Sequence, residues 1–301
     1  MFSNTTKLSI LGALILLPYS SLFAQLPIDG FYPKKGDLTI APGYTFKTYD
    51  EYYVVKNTVE LGEDTETSIF SFYTQYAISN RFSATVTLPY ISTEKESDPS
   101  SKQNDLQDLG LYIKSLIIKK DFKNSSKISL GAATGITFPL SNYKEGGIIS
   151  IGNQATSFDG EAIIHYETSF KVFAEASLGY SLRDNKDYDI PNALLYSFKV
   201  GYLHQLFYAH AKLDIQDSTS GLDIGTDEFG LKNSTLTEQG LDGALPETKV
   251  GYTNLSFTIY VPIYKNTLGL SANYSSTLDG RNFSKETAYG VGIVYNLNII
   301  K

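Results

Sequence analysis

The chain has 301 residues, with no Cys, no Trp, one Met, 23 Tyr and 17 Phe. Lys and Arg number 25 against 32 Asp and Glu, a formal net charge of −7. Without cysteine there is no disulfide framework and no thiolate-held metal. The acidic balance argues against nucleic acid as a partner, since neutralising phosphates takes clustered Lys and Arg.

Residues 1–24, MFSNTTKLSILGALILLPYSSLFA, read as a secretory signal peptide. Lys7 supplies the positive start, residues 8–17 the apolar run, Pro18 a break and Ala24 the small residue before the cut. The run is about half the ~20 residues that a membrane helix needs. Cleavage there leaves 25–36 as an N-terminal periplasmic segment, ahead of a barrel over 37–301.

Beyond residue 36 the dominant signal is alternation of period two, the mark of strands. Leu178, Tyr180 and Leu182 alternate with Ser177, Gly179 and Ser181; Leu255, Phe257 and Ile259 alternate with Asn254, Ser256 and Thr258. Tyr289, Val291, Ile293 and Tyr295 share one face of the last segment. Twelve strands are predicted, over 37–49, 65–78, 82–94, 108–119, 127–139, 157–169, 172–183, 192–202, 207–216, 249–262, 267–277 and 284–298. Their length suits tilted membrane strands of ~9–11 residues with overhang.

Short connections (79–81, 121–126, 169–171, 203–206 and 264–266) alternate with longer polar ones (50–64, 95–107, 140–156, 184–191, 217–248 and 278–283). Outer-membrane barrels put short turns in the periplasm and long loops outside. The polar face is dominated by Ser, Gly, Thr and Asn, where the solvated face of a secreted sandwich would carry many Lys and Glu. The expected fold is therefore all-β: a transmembrane antiparallel up-and-down β-barrel of about 12 strands in the bacterial outer membrane, surrounded by lipid.

Three pieces resemble the outer-membrane family of the meta-pathway of phenol degradation, a group of barrel transporters. The first is Tyr76-Ala77-Ile78-Ser79-Asn80-Arg81 running into Leu88-Pro89-Tyr90. The second is Gln107-Asp108-Leu109-Gly110-Leu111 with Lys114, where Gln107 stands in place of the family's Gly. The third is Gly135-Ile136-Thr137-Phe138-Pro139-Leu140. The resemblance implies an outer-membrane location and uptake of small hydrophobic or aromatic compounds.

No enzyme motif stands out. His165 and His210 fall on the inward phase and His204 in a short turn, with no nucleophile elbow, zincin or Walker pattern. Neither a cofactor nor a metal is expected. The acidic loop 217–248 lacks calcium-loop spacing and reads as a solvated surface loop. Phase turns Lys47, Lys114, Glu161, His165, Glu167, Glu175, Arg183, Lys199, His210, Lys212 and Asp214 towards the lumen. In the hairpins that follow from this phase, His165 faces Glu175, Glu167 faces Phe173 and Lys199 faces His210. Ionisable groups in a barrel wall need water or a partner. Two readings stay open: a passive channel for small solutes, or a closed structural or adhesive barrel that binds partners through its loops.

Overall fold

The computed structural model describes residues 28–146, 149–265 and 267–300. The signal-peptide stretch 1–24 lies outside the described residues. Fourteen strands run in chain order: β1 Asp37–Val54, β2 Asn57–Ala77, β3 Phe82–Lys95, β4 Asp98–Leu106, β5 Asp108–Asp121, β6 Lys127–Pro139, β7 Thr156–Glu167, β8 Val172–Asp184, β9 Ala193–Leu203, β10 Tyr208–Ser218, β11 Gly251–Tyr264, β12 Leu268–Arg281, β13 Phe283–Ser284 and β14 Thr287–Asn298. β4 continues into β5 across Gln107, and β13 into β14, so the wall has twelve staves. Each pairs antiparallel with its neighbours in chain order. β1 pairs with both β2 and β14, which closes the barrel and leaves the wall no free edge.

The alternation lands where phase puts it. Leu178 is 52% exposed and Ile259 44%, while Glu175 and Lys199 on the other face are buried. A side-chain period of two leaves no other solution: slipping one residue would turn every apolar residue into the lumen.

Three expected loops are strands instead; the shortest, 278–283, is the end of β12 and the start of β13 on either side of Asn282. The stretch 50–64 is the continuation of β1 and β2, joined by a turn at Val55 and Lys56, with Tyr53 opposite Thr58 and Val54 opposite Asn57. Tyr53 is buried against Gly280, where an added Cβ would come within 2.3 Å of its ring. The stretch 95–107 is likewise the β3–β4 hairpin, pinned by Lys102 on Glu94 at 2.7 Å and by an ion pair of Lys95 with Glu63. Their many charged residues hide the alternation.

The remaining long connections pack together at one end of the barrel. The loop 217–248, read as a solvated surface loop, contains helix α1 (Asp227–Glu238), whose N-cap Thr226 accepts a hydrogen bond from the Phe229 amide at 3.2 Å. Buried Leu236 of α1 joins Tyr188, Ile190, Ala155 and Ala244 in an apolar cluster that unites three loops. The loop after β6 dips inward, so that Tyr143 and Ile151 meet Ile69 and Ile91 on the inner faces of β2 and β3. Gln107 holds this loop by donating from Nε2 to the Ile151 carbonyl at 2.8 Å.

Candidate functional site

The lumen is the candidate site, and near its short-turn end charged and aromatic side chains from four strands meet. His165, Glu175, Lys199 and Lys212 are register partners across β7, β8, β9 and β10. The expected His165–Glu175 and Glu167–Phe173 pairs are present. Lys199 faces Lys212 and not His210, which lies opposite Gly201. The reason is the turn: β10 begins at Tyr208 paired to Leu203, two residues away from the register that sequence phase suggested.

Glu175 is the hub. Its Oε1 accepts from Lys199 Nζ at 2.6 Å, and its Oε2 lies 2.9 Å from His165 Nδ1 and accepts from the Gly30 amide at 2.8 Å. Gly30 belongs to the segment expected to lie in the periplasm. Residues 29–32 of that segment instead sit inside the wall. Lys114, 1% exposed, donates to the Asp29 carbonyl (2.7 Å), the Phe31 carbonyl (2.6 Å) and Asp29 Oδ1 (3.0 Å). The Tyr32 hydroxyl reaches the Ser115 carbonyl at 3.5 Å and occupies the space over Gly131, where an added Cβ would collide with it. Gly30 is needed for the same reason: a Cβ there would come 2.5 Å from His165 Cβ.

The other inward groups are spread along the barrel. Lys47 pairs with Glu286 at 2.8 Å. Glu167, at the short-turn rim, meets Lys171 at 2.7 Å and Lys127 at 3.7 Å. Lys212 contacts Asp214 at 2.7 Å. Arg183, towards the long-loop end, donates to Gln216 Oε1 at 2.8 Å and to Ser181 Oγ at 3.3 Å. Glu161 keeps one oxygen, Oε2, without a protein hydrogen-bond partner, as do His210 Nδ1, the Tyr252 hydroxyl and Asn254 Oδ1.

Phase set Phe173 opposite Glu167 but did not show the ring stack that Phe173 joins. The Phe173 ring, fully buried, stacks between His165 (centroids 5.3 Å, 17°) and Tyr208 (5.6 Å, 8°). The signal was available in two large aromatics, Phe173 and Tyr208, on an inner face otherwise made of small and polar residues.

A closed, lipid-facing antiparallel barrel with a polar lumen defines an outer-membrane β-barrel protein. Residues 43–291 match the family described as "Putative MetA-pathway of phenol degradation", and the chain belongs to it. No curated protein matches it. Among solved structures, an outer-membrane channel from Pseudomonas putida F1 is 14% identical with a TM-score of 0.71, over 91% of this chain and 100% of that one. The NanC porin is 11% identical with a TM-score of 0.51, over 86% and 100%.

Proposed function

We propose that the protein is a passive outer-membrane channel for small solutes, hydrophobic and aromatic ones included, with its short turns in the periplasm and its packed loops at the cell surface. The observation that carries this reading is the contrast between the two faces of the closed wall: apolar residues such as Leu178 and Ile259 point outward, while charges of both signs line the inside along the length of the barrel, among them Lys47, Glu175, Arg183, Lys199, Lys212 and Asp214. A polar interior inside an apolar belt is what an outer-membrane channel needs, so the inner face supports a polar path between the N-terminal segment and the loop cluster. Family membership agrees with it.

Diffusion along that path needs no cofactor and no covalent step. Residues 29–32 narrow it at one end through hydrogen bonds and ring contacts alone, which open without bond chemistry. Swelling of liposomes carrying the protein tests the reading: entry of a small sugar and exclusion of a large one is expected, and no swelling with any solute supports a shut barrel that acts through its loops.

A further inference from the structure

Phe31 is held by two unlike kinds of contact. Its ring meets three others edge-on: His165 at 4.6 Å and 66°, Phe173 at 5.2 Å and 77°, and Tyr208 at 5.8 Å and 84°. These are the separations and angles that aromatic quadrupoles favour. Its carbonyl oxygen accepts from Lys114 Nζ at 2.6 Å. From ring to oxygen the covalent path is ring, Cβ, Cα, carbonyl, which is the skeleton of 3-phenylpropanoate.

Barrel stability alone does not call for such a site. The wall supplies a flat face of three stacked rings, His165, Phe173 and Tyr208. Gly201 clears room for it, since an added Cβ there would lie 2.5 Å from Phe173 Cζ. Beside the rings stands a buried ammonium, Lys114, with Glu175 tied up by Lys199, His165 and Gly30. A free carboxylate would replace the neutral Phe31 carbonyl on Lys114 with a charged acceptor, in addition to the Asp29 carboxylate at 3.0 Å, and charge-assisted hydrogen bonds are about twice as strong as neutral ones.

We propose that this aromatic box with Lys114 is a solute site of the channel, occupied in the resting protein by Phe31 as an internal stand-in. Arylalkyl carboxylates compete with the N-terminal segment for it. Solute binding and release of the segment are then one linked equilibrium. The inference deepens the channel reading, on which it depends for the solute's route.

The test is calorimetric titration of the full chain in detergent with 3-phenylpropanoate, and with 3-cyclohexylpropanoate as the matched acid without an aromatic ring. Phe31→Ala changes no residue of the barrel strands, and heat-modifiable migration on gels verifies its folding. It is expected to bind the aromatic acid at least tenfold more tightly than the unchanged protein and to prefer it over the cyclohexyl acid. Phe173→Leu added to Phe31→Ala is expected to abolish that gain. Equal affinity with and without Phe31, or tight binding that survives Phe173→Leu, overturns the proposal. Binding without any ion current leaves the site standing and removes the channel reading; current without binding does the reverse.

Discussion

Glu175 and Lys199 face each other across β8 and β9, with Nζ 2.6 Å from Oε1 and both side chains almost out of solvent. His165 and the Gly30 amide take the other carboxylate oxygen. A buried charge held this way is costly to orphan, by about 3–5 kcal/mol when one partner is removed. Lys199→Met is therefore expected to lower the unfolding temperature of the detergent-solubilised barrel markedly. Adding Glu175→Leu should recover part of the loss. A single substitution without effect, read by the temperature of the heat-modifiable band shift, would mean that water screens the pair.

The two faces of β8 predict opposite tolerance. Leu178→Arg places a cation on the lipid face at a cost of about 2–4 kcal/mol near the bilayer midplane, and should reduce the folded fraction in lipid vesicles. Ser177→Arg turns its charge into the lumen, where Ser177 Oγ lies 2.8 Å from Ser197 Oγ, and should fold with a smaller loss. Equal losses at the two positions contradict the assigned faces.

Lumen charge sets ion preference. Replacing Lys199 and Lys212 together with Gln removes two cations and leaves Glu175 and Asp214 in place. Reversal potentials under a salt gradient are expected to move towards cation selectivity. An unchanged reversal potential would show that permeating ions do not pass these strands.

At the long-loop end, Asp223 receives Arg281 Nε at 2.9 Å and Nη2 at 2.5 Å, along with Asn282 Nδ2 at 3.0 Å. The Arg281 guanidinium, helped by Asn282, holds the Asp223 carboxyl below the usual carboxylate range. With the folded value depressed, this anchorage is fully present above the unfolded value near ~4. It is lost as pH falls through the folded value. Proteolysis of the 219–250 loop by an acid-active protease should accelerate a few-fold as pH drops below about 4. In Asp223→Asn the rate should be high already at neutral pH and change little on acidification.

Much of this architecture was legible in the chain. The strand faces around Leu178, Ile259 and Val291 follow from alternation alone, because a lipid-facing residue must be apolar whatever its neighbours. The arms at 50–64 and 95–107 were not legible as strands: they are rich in charged residues and, apart from Tyr53 against Gly280, little burial forces alternation on them, and Glu51 opposite Glu60 reads as loop. The cap of α1 was signalled by Thr226-Asp227-Glu228, an N-cap followed by acids in the first turn, but was masked by the acidic run around it. The inward set followed from phase alone, whereas the Lys199–Lys212 register depended on the turn at 204–207. The internal placement of residues 29–32 had no local pattern at all. It arises from long-range complementarity between Lys114, the aromatic face and a short stretch that precedes the first strand.

Ion current across a planar bilayer tests the central claim most directly. Lys114 gives three hydrogen bonds to residues 29–31, so Lys114→Met should free the segment that narrows the short-turn end. The account predicts stepwise single-channel currents from the unchanged protein, and a conductance at least doubled by Lys114→Met. Silent bilayers from both, with folding verified by band shift, would contradict it and make the barrel a closed one.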